Sequence, residues 1–63
     1  MDADRSELSA LASSLEDITT RITALADRYR DTTRADVADG LDEVERALAS
    51  ASRQLDRALR AMR

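Results

Sequence analysis

Residues 8 to 29 read LSALASSLEDITTRITALADRY, with larger apolar side chains at Leu8, Leu11, Leu15, Ile18, Ile22, Leu25 and Tyr29. The spacing is 3-4-3-4-3-4 without a miss. An α-helix turns once in 3.6 residues, so this spacing gathers the side chains into one lengthwise seam, the mark of a helix that packs against another. The same spacing returns at Leu41, Val44, Leu48, Ala51, Leu55, Ala58 and Met62. Each seam runs for about 33 Å at 1.5 Å per residue.

Twelve steps separate Tyr29 from Leu41, and at 100° each they carry the second seam about 120° around from the first. One straight helix cannot bury both seams, so the chain breaks between them. Two places compete for the break. At Asp31-Thr32-Thr33, Arg28 and Arg30 suit a helix C-terminus, Thr33 can cap the next helix and Asp36 stands in its first turn. At Gly40 the glycine can follow a helix end, with Asp42 as the next N-cap and Glu45 completing a capping box. Length favours the earlier turn. It predicts helices over about 4–30 and 34–62 with a turn at 31–33, two helices that cover each other, whereas a turn at Gly40 strands Leu8 and Leu11. A glycine inside the second helix then costs about 1 kcal/mol.

Charge agrees with a chain that folds back. Residues 1–17 sum to −4, 18–30 to +2, 31–45 to −5 and 46–63 to +4. An antiparallel hairpin sets opposite signs side by side, and both helices begin acidic and end basic as the helix dipole prefers.

Composition narrows the chemistry. The 63 residues include twelve Ala, eight Leu and ten Arg, with one Gly and no Pro, Cys, His, Lys, Trp or Phe, which describes a single all-α domain. Without Cys or His there is no disulfide framework and no usual zinc, iron or copper ligand, and no cofactor is expected. Serine and threonine hydroxyls have no His or Lys to activate them, so a non-catalytic role is expected. No apolar run exceeds three residues, which excludes a membrane span or signal-peptide core here and makes the cytoplasm the expected location.

Two charged groups invite a site. Asp36, Asp39, Asp42, Glu43 and Glu45 form the densest acidic cluster, but they lack the alternating spacing of a calcium loop and read as a solvated face. Arg46, Arg53 and Arg60 recur every seven residues with Arg57 between the last two, a basic stripe that could track phosphates. Asp42 and Asp56 stand within ion-pair spacing of that stripe, and the net charge of −3 opposes nucleic acid.

A lone hairpin cannot fully cover about a dozen sizeable apolar side chains, each worth roughly 1.5–3 kcal/mol when buried. Beside the seams runs a flank of mostly small residues, Ala12, Thr19 and Ala26, then Ser52 and the larger Leu59. Close approach of a second copy along that flank is expected to give a homodimeric four-helix bundle. The residues expected to carry self-association are Leu8, Leu11, Leu15, Ile18, Ile22, Leu25, Leu41, Val44, Leu48 and Leu55.

The hairpin length and mid-chain turn, with Ala35-Asp36-Val37, Leu41 and Leu48, resemble the Rop family of small RNA-binding plasmid copy-number regulators. The resemblance implies two hairpins in a four-helix bundle. That family grips RNA through a first-helix face of Lys, amide side chains and Phe, and this sequence has no Lys, Asn or Phe to match it. The expected function is therefore a non-catalytic, self-associating protein-interaction or regulatory module. Its alternatives are an RNA- or nucleic-acid-binding regulator that uses Arg46, Arg53, Arg57 and Arg60, and a subunit completed by a heterologous helical partner.

Overall fold

The computed structural model describes residues 2–62. Two α-helices account for the fold, α1 over Asp2–Tyr29 and α2 over Ala35–Ala61, joined by a turn at residues 30–34. They pack against each other as a hairpin, and the described residues contain no strand. Gly40 lies inside α2 with no left-handed backbone, so the chain turns at the earlier of the two competing places.

The turn is held by Thr32. Its hydroxyl donates to the Tyr29 carbonyl at 2.7 Å and its backbone N–H reaches the same oxygen at 3.3 Å. The hydroxyl also accepts from the Arg34 N–H at 3.1 Å. Thr33 does not cap α2 as its position suggested. Arg34 occupies the N-cap with no side-chain capping bond, because its guanidinium carries donors only and cannot accept from the first-turn N–H groups, and α2 opens on a tight Val37 N–H to Arg34 carbonyl bond of 3.0 Å. Asp36 is kept in the first turn, where the helix dipole favours it, by the Arg34 guanidinium at 3.2 Å.

With Leu8 and Leu41 as heptad position a, the seam alternates between a and d. Leu8, Leu15, Ile22, Leu41, Leu48 and Leu55, all at a, are half-buried. The d residues Leu11, Ile18, Leu25 and Val44 are exposed. The inward flank is instead position e: Ala26 and Ala38 are the buried core, with Ala12, Thr19, Glu45, Ser52 and Leu59 half-buried in the same rows. The small-residue flank expected to meet a second copy therefore lies between the two helices of one chain. Short side chains let the backbones come close, and Thr19 fits there because its hydroxyl donates to the Leu15 carbonyl at 2.8 Å.

The product is a slab of 49 × 15 × 9 Å, two helices wide and one helix thick. It exposes 4835 Å², whereas a compact monomer of 7.0 kDa exposes about 4000 Å². No helix of the described residues is long and apolar enough to cross a membrane.

Candidate functional site

Position d lies about 60° to one side of a and position e about 40° to the other, so the exposed and inward rows of each helix are about 100° apart. The helices run antiparallel, which reverses the angular sense of one against the other. The d rows of α1 and α2 consequently emerge on the same face of the slab. That face carries Leu11, Ile18 and Leu25 from α1, at 52%, 47% and 39% exposure, and Val44 from α2 at 41%. Ala51 and Ala58 continue the α2 row toward its C-terminus and are exposed too. The a residues lie at its base, covered on one side only.

The structure thus divides the ten expected self-association residues into two sets. Leu8, Leu15, Ile22, Leu41, Leu48 and Leu55 join the helices of one chain, while Leu11, Ile18, Leu25 and Val44 form an apolar strip with no partner among the described residues. Tyr29 is also exposed, at 37%, and closes the first seam beside the turn, where its carbonyl anchors Thr32.

The opposite face is a shallow groove. Ser9, Ser13 and Glu16 of α1 and Ser52 and Asp56 of α2 line it, with no basic side chain among them. Thr20 and Thr23 turn their hydroxyls onto the Glu16 and Thr19 carbonyls of their own helix. Three of the five acidic residues are drawn into separate pairs, Asp36 with Arg34, Glu43 with Arg46 at 3.1 Å and Asp42 with Arg30 at 3.1 Å, while Asp39 is exposed and Glu45 turns into the inward row. Arg30 to Asp42 is the ion pair that ties α2 to the end of α1, and sequence spacing missed it because the partners are brought together only by the turn. The Arg30 hydrogen bond and charge hold the Asp42 carboxyl below its ordinary value, with Arg46 assisting and partial desolvation opposing. The same contact raises the Arg30 guanidinium further.

The basic stripe differs from its expected pairing. On α1, outside the stripe, Asp17 pairs with Arg21 one turn on, at 3.5 Å. Arg46 takes Glu43 in place of Asp42, whose carboxylate Arg30 already occupies. Asp56 makes no ion pair with Arg53 or Arg60, and Arg53, Arg57 and Arg60 stand exposed along the outside of α2.

Comparison with known proteins finds no matching family model, curated relative or solved structure.

Proposed function

We propose that the chain is a non-catalytic protein-interaction module that self-associates, two hairpins closing face to face into a four-helix bundle. The exposed strip of Leu11, Ile18, Leu25 and Val44, set about 100° from the inward flank, carries this reading. In a square bundle each helix has two neighbours at about a right angle and points its a residues at the centre. One neighbour direction is filled by the hairpin, and the other is the strip. Size agrees: the surplus exposure of about 800 Å² is what one partner contributes to a standard interface.

Sedimentation equilibrium at micromolar concentration tests the reading. A species of twice the 7.0 kDa chain mass is expected. Ile18→Asp, which places a carboxylate at the middle of the strip, should return the chain to a monomer, and Ser13→Asp on the far side should not. A stable, cooperatively folded monomer of the native chain overturns the reading. A chain completed by a heterologous helical partner would be monomeric alone at every concentration.

Arg53, Arg57 and Arg60, exposed and without an ion pair among the described residues, favour a second reading, a nucleic-acid-binding regulator. Replacing all three by Gln should then abolish an RNA or DNA affinity that falls steeply with salt. The acidic first half of α1, at −4, stands beside these arginines in the hairpin and weakens their field, so the self-association reading is preferred.

A further inference from the structure

Given the self-association proposed above, a second copy can pack on the apolar strip through either of two two-fold axes lying in that face. An axis along the helices lays α1 over the partner's α2 and brings both turns to one end. An axis across the helices lays α1 over the partner's α1 and α2 over the partner's α2, antiparallel, with the turns at opposite ends. We infer that the protein pairs through the axis across the helices, which passes beside Ile18 and between Val44 and Ala51.

The register of the d rows selects this axis. Leu11 and Leu25 lie seven residues to either side of Ile18, so that axis sets Ile18 against the partner's Ile18 and Leu11 against the partner's Leu25. The α2 row is centred between Val44 and Ala51, with Val37 and Ala58 one heptad further out. Residues equally far from the turn centre at Thr32 stand level, so the two centres fall within about 2 Å of each other along the slab. One axis serves both rows. On α2 it sets each valine against an alanine, Val44 against the partner's Ala51 and Val37 against the partner's Ala58. The lengthwise axis would gather leucines and valines at the turn end and leave Leu11 among alanines at the other, overfilling one end and leaving space at the opposite one.

Charge selects the same axis. The turn half, residues 18–45, carries −3, and the rest of the chain sums to zero. Turns at opposite ends keep these two negative halves apart. Glu7 and Arg28 flank the d row of α1, are exposed, and make no ion pair among the described residues. About Ile18, Glu7 falls within one residue of level with the partner's Arg28, giving two interchain pairs by symmetry. Along the other axis the flanking residues of α2 are Gly40, Ala47, Gln54 and Ala61, which offer no charge.

The chain has no cysteine, so single cysteines in the full chain report the geometry. In a glutathione redox buffer Ile18→Cys is expected to form at least tenfold more covalent dimer than Thr20→Cys on the outer face. Leu11→Cys alone and Leu25→Cys alone should stay unlinked, since about 21 Å separates each from its copy, whereas an equimolar mixture of the two should link. Glu7→Arg and Arg28→Glu, both at exposed positions, should each weaken dimerisation about fivefold at low salt, and the double variant should restore it. A chain that sediments as a dimer but links neither through Ile18→Cys nor in the mixture overturns the arrangement and leaves self-association standing. A native chain that sediments as a monomer overturns the self-association itself.

Discussion

Glu45 stands in the inward row of α2 between Ala38 and Ser52, and one of its carboxylate oxygens is buried with no hydrogen-bond partner. An unpaired buried acceptor loses its water without replacement, at a cost of about 1–3 kcal/mol. Glu45→Leu should therefore raise the unfolding free energy by about 1 kcal/mol in urea titrations followed by circular dichroism, and a loss of stability would show that the carboxylate is satisfied in solution. Asp42 is the opposite case, a carboxylate held below its ordinary 3.8 by the hydrogen bond and charge of Arg30. A depressed folded value means that the contact contributes stability above the unfolded value and loses it as pH falls through the folded one. Asp42→Asn should thus melt earlier than the native chain at pH 7, and the gap should close below about pH 4. Arg30→Gln should behave alike, and combining the two should add little to either. A gap undiminished between pH 7 and pH 2.5 would mean that Asp42 contributes by something other than its charge.

The helices themselves were legible in the sequence because their apolar spacing is unbroken, and the turn was legible because the two seams are out of phase by about 120°. The side of the seam that faces inward was not. Both flanks of a are compatible with packing, and side-chain size decides between them: Ala12, Thr19 and Ala26 let α2 approach, whereas Leu11, Ile18 and Leu25 at the contact would hold it off. The Arg30 contact to Asp42 escaped for a related reason, since it joins residues twelve apart through a turn whose geometry the spacing does not encode. Gly40 is the one residue that works against its element. A Cβ built there meets nothing within 4 Å, so the hairpin gains nothing from its absence and loses about 1 kcal/mol of helix propensity. Gly40→Ala should recover about that amount, measured as a higher urea midpoint with an unchanged slope. A destabilised variant would indicate that something outside the hairpin approaches α2 at this point.

A slab 9 Å thick has no interior away from the contact between its two helices, and among the described residues only Ala26 and Ala38 are buried in it. So small a core offsets little of the entropy of ordering some 60 residues, so folding and association should be one event. Mass action then governs the melting temperature: each tenfold rise in chain concentration stabilises a dimer by about 1.4 kcal/mol. Unfolding two 63-residue chains at roughly 2 cal/mol/K per residue gives an entropy of about 0.26 kcal/mol/K. The melting temperature should consequently climb by about 5 °C for each tenfold increase in concentration, followed by circular dichroism from micromolar to near-millimolar chain. Ile18→Asp should lower the curve as a whole and remove its slope, because whatever helix remains would then melt as a single chain. A native melting temperature that stays fixed over a hundredfold range would show that the hairpin folds without a partner, and the exposed leucines would need another explanation.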